Sequence, residues 1–107
     1  MVGPHTKGKA IERAFAAYLE RELDARCTWV PPMGKYASND IFGVFDCVYI
    51  NIGGSVCFAQ VCHPNSVARH KRAIAGWLKR TEFNPWGVHI ELWTYNKAKK
   101  FCLAEIF

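Results

Sequence analysis

The sequence predicts a single α/β domain of the α+β type, in which two helices flank a central mixed sheet of about five strands. The chain has 107 residues, close to the commonest size of one domain. Half of the residues are hydrophobic and 14% are aromatic, which suits a packed core and argues against disorder. Two segments have helical spacing and the others alternate between β-prone runs and turn residues. The predicted order over residues 1–107 is αβββαββ.

The N-terminal part of the chain predicts one helix followed by a short strand. Lys9–Arg26 is rich in Ala, Leu, Glu and Arg and contains neither Gly nor Pro, so we expect the first helix there. Cys27–Val30 is a short β-prone run that ends at Pro31-Pro32. Residues 33–43 are rich in turn formers, so most of them are expected to form a loop.

A hairpin is predicted in the middle of the chain. Val44–Ile52 and Val56–His63 read as two strands joined by Gly53-Gly54-Ser55, in which Gly54 supplies a left-handed residue. The elements expected after it are a second helix over Ser66–Arg80 and strands over Gly87–Tyr95 and Lys100–Ile106.

The charge balance favours a polyanionic partner. Lys and Arg number 14 against 9 Asp and Glu, a net charge of +5, and such a balance attracts nucleic acid through counterion release. No apolar run approaches the roughly 20 residues that span a bilayer. The N-terminus also lacks the apolar stretch of a signal peptide. We therefore expect a cytoplasmic, intracellular protein that binds nucleic acid and no membrane.

The five cysteines predict reduced core residues. Their number is odd and all of them fall within β-like apolar segments, which does not suit a disulfide framework. Close CxxC pairs, which zinc sites usually need, are absent from the sequence. The nearest approach to a zinc site is Cys57, Cys62 and His63.

Glu12 interrupts the apolar side of the first helix. At about 100° per residue it projects between Leu19 and Leu23. A carboxylate on the buried side of a helix is costly unless it is paired or binds a cation. Glu22 interrupts the pattern equally, so periodicity leaves open whether Glu12 binds a cation, pairs with an arginine or is partly solvated.

Asp46 is an acidic residue inside an apolar stretch. If residues 53–55 form a three-residue connection, Asp46 pairs with Cys62 and shares one face of the sheet with Gln60 and Cys62. Polar groups on neighbouring strands can hold a divalent metal. A two-residue connection would instead place Asp46 on the face opposite Gln60. The alternative use of Asp46 is to cap loop amides at a strand edge.

The second predicted helix carries five Lys or Arg residues and no acidic residue. Its basic face contains Arg69, Arg72, Lys79 and Arg80, and Lys71 lies on the flank nearer the apolar stripe. A charged helix face is usually a solvated face. The absence of acidic residues favours phosphate contact here.

The motifs occur in a recognisable order. They are Gly8-Lys9-x-x-Glu12-Arg13, Ser38-Asn39-Asp40-x-x-Gly43-x-x-Asp46, Gln60-Val61-Cys62 and then the basic helix. This ordered set resembles the PD-(D/E)xK nuclease superfamily, and within it the small Holliday-junction resolvases and their phage-encoded relatives. The resemblance covers nearly the whole chain and implies a restriction-endonuclease-like fold.

The resemblance implies a metal site made of three residues. Asp46 matches the metal-binding aspartate of the family, and Glu12 matches the first-helix glutamate of the resolvases. Gln60 matches the acidic residue of the (D/E)xK strand, where glutamine is an accepted variant. The implied cofactor is Mg²⁺, with Mn²⁺ as an alternative, and in the family it activates water for attack on a phosphodiester.

Cys62 departs from the family pattern because it stands where the family has lysine. A neutral thiol cannot supply the positive charge of that lysine. Three explanations remain open: Lys71 replaces the amine from the second helix, His63 replaces it less readily from the next position, or the protein binds DNA without cutting it. A thiolate of Cys62 is the least suitable catalyst, because phosphodiester hydrolysis does not need one.

Polar and basic residues predict how DNA would be held. Two groups are expected to contact the DNA backbone: Lys35, Ser38 and Asn39 near the scissile phosphate, and Arg69, Lys71, Arg72 and Lys79 further out. Ordinary solvated loop positions explain Lys35, Ser38 and Asn39 equally well. The expected partner is branched or duplex DNA, read by shape and charge. Junction resolution needs two symmetric cuts, which implies a homodimer.

Three functions of different kinds follow from the sequence. The first is a metal-dependent endodeoxyribonuclease that cleaves Holliday junctions. The second is a catalytically degenerate DNA-binding protein of the same fold. The third is a structural or protein-binding module, which would have no affinity for DNA even at low salt.

Overall fold

The described residues form helices and strands in the predicted order. The computed structural model describes residues 4–32, 40–84, 86–96, 98 and 100–107, with the backbone alone for residues 4–9. The elements are α1 (Pro4–Leu23), β1 (Cys27–Trp29), β2 (Cys47–Ile50), β3 (Val56–Cys62), α2 (Val67–Thr81), β4 (Val88–Tyr95) and β5 (Phe101–Ile106). The α+β class, the two helices and the mixed five-stranded sheet are therefore confirmed. No helix in this described part is long and apolar enough to cross a membrane.

The two helices differ in how closely they match their predicted bounds. The first begins five residues earlier than predicted and ends three residues earlier, because Asp24 adopts a left-handed conformation with φ 54°. The second lies within one residue of its predicted bounds at both ends. It follows a short 3-10 helix, Pro64–Ser66, and stops where Glu82 turns left-handed with φ 52°. Local backbone reversals, and not the apolar pattern, set these ends.

The segment before β2 turns where the sequence predicted a strand. Phe42 and Gly43 both have positive φ, 54° and 73°, and Ile41 N–H donates to the Phe45 carbonyl at 2.7 Å. Val44 and Phe45 are buried by this turn, so their apolar character reflects core packing and not a strand. The strand itself begins at Cys47.

The predicted register of the central hairpin was wrong by two residues. Cys47 pairs with Ala59 and Ile50 pairs with Val56, so the connection has five residues, 51–55, and not three. The Asn51 side chain accepts the Ser55 N–H at 2.9 Å and closes the longer loop. Gly54 is left-handed, with φ 87°, as predicted. A shift of two residues leaves each side chain on its predicted face of the sheet, since side chains alternate between the two faces with a period of two.

One helix packs on each face of the sheet. The sheet order is β1-β2-β3-β4-β5, and of the pairs in this sheet β3 and β4 are parallel, joined through α2. Phe15 and Leu19 of α1 pack on one face, and Ile74 and Trp77 of α2 pack on the other. The carboxyl ends of β3 and β4 therefore open between the two helices. In open α/β sheets this is where ligands bind.

Candidate functional site

Three carboxylates from separate parts of the chain converge beside the end of β3. Glu12 comes from α1, Asp40 from the loop before the turn at residues 41–45, and Asp46 from the residue preceding β2. One ligand oxygen of each lies within 4.8 Å of the others. Glu12 and Asp46 are buried and Asp40 is half-buried. Carboxylate oxygens are the ligands that hard divalent cations prefer.

Backbone contacts fix Asp46 at this position. Its N–H donates to the Ala59 carbonyl at 2.9 Å, and its Oδ2 accepts the Val61 N–H at 2.8 Å. Asp46 therefore bonds to the two sequence neighbours of Gln60. It does not pair with Cys62, which the predicted register required. The contact with Val61 also matches the alternative use of Asp46 as an amide cap.

The charges around Asp46 oppose its ionisation. The pKa of Asp46 is raised from 3.8 to about 8, chiefly by burial. The Val61 N–H acts in the other direction, and the negative charges of Glu12 and Asp40 and a hydrogen bond with Glu12 add to the rise. When two carboxyl groups are in contact, one of them keeps its proton, because two adjacent negative charges repel each other. A divalent cation bound here would remove this penalty, since it stabilises the ionised form of every member.

A cleft of about 310 Å³ contains the carboxylates and is also lined by basic and N–H donor side chains. Its lining residues are Ile11, Glu12, Asp40, Asp46, Val61, Cys62, His63, Ser66, Arg69, His70 and Tyr95. Arg69 and His70 belong to the first turn of α2 and line the same cleft as the carboxylates. Carboxylates that could bind a metal and N–H donors in one cleft suit a phosphate ester.

Gln60 is placed beside the cleft but is not among its lining residues in the described chain. It is 7% exposed, and its Nε2 lies 2.5 Å from His70 Nδ1. Its Oε1 has no hydrogen-bond partner within the described residues. The structure therefore joins Gln60 to α2, and its role as a metal ligand stays a prediction.

Cys62 lines the cleft as a neutral group. Burial raises the pKa of the thiol, the charge of Asp46 raises it further, and Arg69 acts in the opposite direction. Cys62 is 4% exposed, and its side chain packs in the apolar cluster beneath α2. It supplies no positive charge at the position where the resembling family has lysine.

Lys71 is directed away from the carboxylates. Its Nζ forms an ion pair with Glu105 Oε1 of β5 at 2.9 Å, and it is not among the described residues that line the cleft. Arg72 and Lys79 are exposed on α2, while Arg69 reaches the cleft itself. Lys35, Ser38 and Asn39 lie outside the described residues.

Two residues of the site, Asp40 and His70, were not selected from the sequence. Asp40 stood in the motif that carries the family resemblance, six residues before Asp46, but its loop position gave no geometric reason to select it. His70 had a readable signal. At about 100° per residue it falls in the apolar arc of α2 beside Ile74 and Trp77, so it is a polar residue where periodicity predicts a buried one.

Comparisons of the chain with protein-family models, curated proteins and solved structures found no match. The resemblance to the PD-(D/E)xK nucleases therefore rests on the motifs quoted above.

Proposed function

We propose that this protein is a metal-dependent DNA endonuclease that resembles the Holliday-junction resolvases. The observation that carries the proposal is the convergence of Glu12, Asp40 and Asp46 within 4.8 Å, in a cleft that Arg69 and His70 also line. Three carboxyl groups packed together resist full ionisation without a cation, as the raised pKa of Asp46 indicates. A phosphodiester also needs positive or N–H groups beside the metal, and Arg69 and His70 of the same cleft can provide them.

The donor set fits Mg²⁺ or Mn²⁺. All three groups are carboxylates, and the thiol in the same cleft is buried and protonated, so softer metals such as zinc gain no thiolate ligand. Glu12, Asp40 and Asp46 would hold the ion, whose chemistry would be to lower the pKa of bound water and to stabilise charge on a phosphate oxygen.

Basic residues of α2 bind and orient the DNA. Arg69 is positioned to contact a phosphate within the cleft, and Arg72 and Lys79 extend the positive charge along the exposed side of α2. The net charge of +5 supports backbone recognition. We expect branched or duplex DNA as the partner. Paired cuts in a junction would require a homodimer, which sedimentation at low and high salt would detect.

The test is a cleavage assay on labelled four-way junction, duplex and single-stranded DNA, with Mg²⁺, with Mn²⁺ and with chelator. We expect junction cleavage that depends on the metal and that falls by at least about 100-fold in Asp46→Asn and Glu12→Gln. Glu22→Gln is the matched control, since Glu22 lies on the same helix as Glu12 but is exposed. Equal activity of Glu12→Gln and Glu22→Gln would refute the proposed site.

A second candidate function is that of a DNA-binding protein of the same architecture that does not cut. The observation in its favour is Cys62, because this neutral, buried thiol leaves the lysine position without charge. This candidate predicts salt-sensitive junction binding that survives Asp46→Asn and no cleavage with either metal. The same assay therefore separates the two functions.

A further inference from the structure

His70 is an N–H donor in the cleft that contains the carboxylates. It lies in the first turn of α2, is half-buried, and lines the cleft together with Arg69. Its Nδ1 contacts the buried amide of Gln60 at 2.5 Å. A histidine held on one nitrogen by a buried amide has a fixed ring orientation, and this is how proteins aim the other nitrogen at a ligand.

The contact with Gln60 determines which ring nitrogen carries the proton. Because the amide Nε2–H donates to Nδ1, the neutral ring must carry its proton on Nε2. With Nδ1 occupied by the amide, Nε2–H is the hydrogen-bond donor that the ring offers in the cleft.

Other candidates for this role are engaged elsewhere. Lys71 pairs with Glu105 at 2.9 Å. His63 is exposed, and its Nδ1 accepts the Asn65 N–H at 3.1 Å, which caps the short 3-10 helix. Among the described groups of the cleft wall, His70 combines partial burial with a fixed ring orientation.

We propose that Gln60 and His70 act as a positioning pair in which His70 Nε2–H donates to a non-bridging oxygen of the bound phosphodiester. This pair takes over, from α2, the phosphate contact that a lysine at the position of Cys62 would make. The inference rests on the proposed nuclease function for its catalytic consequence. The phosphate contact itself is measurable without metal and without cleavage.

The first test uses nitrogen-15 NMR of the imidazole ring in chelator. We expect the Nε2–H tautomer in the wild-type protein, a loss of that single tautomer in Gln60→Leu, and a shift of the His70 ring signals on addition of dimethyl phosphate or junction DNA. The Nδ1–H tautomer, or ring signals that ignore both additions, would overturn the proposal. This result is independent of whether the protein cuts DNA.

The second test compares His70→Ala with His70→Gln, whose side-chain amide restores an N–H donor. We expect kcat for junction cleavage to fall by about 100-fold in His70→Ala with little change in KM, and to recover at least in part in His70→Gln. His89→Asn, a histidine of β4 that is not among the lining residues, is the control and should cleave normally. If the wild-type protein cleaves junctions and His70→Ala cleaves them equally well, this inference is overturned and the nuclease proposal stands. Absence of cleavage by the wild-type protein would end the nuclease proposal, and the NMR result would still decide the phosphate contact.

Discussion

Two buried carboxylates on the same sheet have opposite surroundings. Glu91 of β4 is 6% exposed and accepts hydrogen bonds from Tyr49 Oη at 2.5 Å and from Trp93 Nε1 at 2.9 Å. Asp46 is 7% exposed and accepts one backbone N–H, while two other carboxyl groups crowd it. Neutral donors contact the carboxyl group of Glu91, whereas like charges oppose the ionisation of Asp46.

The difference separates a structural acid from a candidate ligand. Burial raises the pKa of Tyr49, and the hydrogen bond to Glu91 raises it further, so the phenol keeps its proton and remains a donor. The Glu91 cluster is therefore complete without any added group. The Asp46 cluster would be improved by a cation, and it borders a cleft that one could enter. Burial of an acid alone does not indicate function, but burial beside other acids does.

The largest expected effect is on the stability of the metal-free protein as pH changes. Asp46 has a pKa of about 8 in the folded chain and about 3.8 when unfolded. Folding therefore favours the protonated form, so this contribution to stability is full below about pH 4 and is lost as pH rises toward 8. Urea unfolding in chelator should show a loss on the order of a few kcal/mol across this window.

Asp46→Asn provides the matched variant for that measurement. The amide oxygen can still accept the Val61 N–H but cannot ionise, so the variant should lack this pH dependence and be more stable than the wild type above pH 8. Mn²⁺ should stabilise the wild type and leave Asp46→Asn unaffected. Identical pH profiles for the two proteins would remove the electrostatic argument for the site.

A smaller effect is expected at the other carboxylate. Glu91→Gln keeps a carbonyl acceptor but loses the charge and buries an extra NH₂ group, so the free energy of unfolding should fall by about 1–3 kcal/mol. In calorimetric titration, Glu91→Gln should bind Mn²⁺ with the same affinity as the wild-type protein, because Glu91 is not among the described cleft residues. A variant that folds fully but fails to bind Mn²⁺ would show that the two clusters are one functional unit.

The sequence predicted the helices and strands well because the spacing of apolar residues indicates which side of each element is buried. The apolar stripe on an otherwise basic segment predicts the helix α2, Val67–Thr81, while the left-handed Glu82 sets where it ends. The same reasoning failed at Val44 and Phe45, since a buried turn and a buried strand have similar apolar composition. The turn itself depends on a left-handed Phe42, which sequence preferences disfavour.

The candidate site was predicted in part for the same reason. Glu12 and Asp46 were visible as acids in apolar patterns, and the structure brings them together with Asp40. The position of Asp40 depends on how a loop folds back, which no periodicity describes. Gln60 was selected on family resemblance, and its contact with His70 depends on the packing of α2 against β3, which a helical wheel of one element cannot show.

The contribution of Asp40 can be separated from that of its buried neighbours. Asp40 is half-buried, so it should be the weakest of the three ligands, and Asp40→Asn should reduce Mn²⁺ affinity about tenfold, or about 1.4 kcal/mol. Its charge also raises the pKa of Asp46, so the stability loss of the metal-free variant should shift to lower pH. Calorimetric titration and urea unfolding measure the two effects. An unchanged affinity would reduce the proposed site to Glu12 and Asp46.

The smallest expected effect concerns two cations of α2 with different surroundings. Lys71 forms an exposed ion pair with Glu105, whereas Arg69 lines the cleft. Lys71→Met should therefore cost at most about 1 kcal/mol of unfolding free energy, as exposed pairs do, and should retain junction cleavage. Glu105→Gln should cost a similar amount, and the double variant should lose no more than the sum. Arg69→Met should reduce cleavage while leaving stability nearly unchanged. If Lys71→Met stopped cleavage while junction binding persisted, the amine would have to leave Glu105 during catalysis, and Lys71 would then replace His70 as the group that compensates for Cys62.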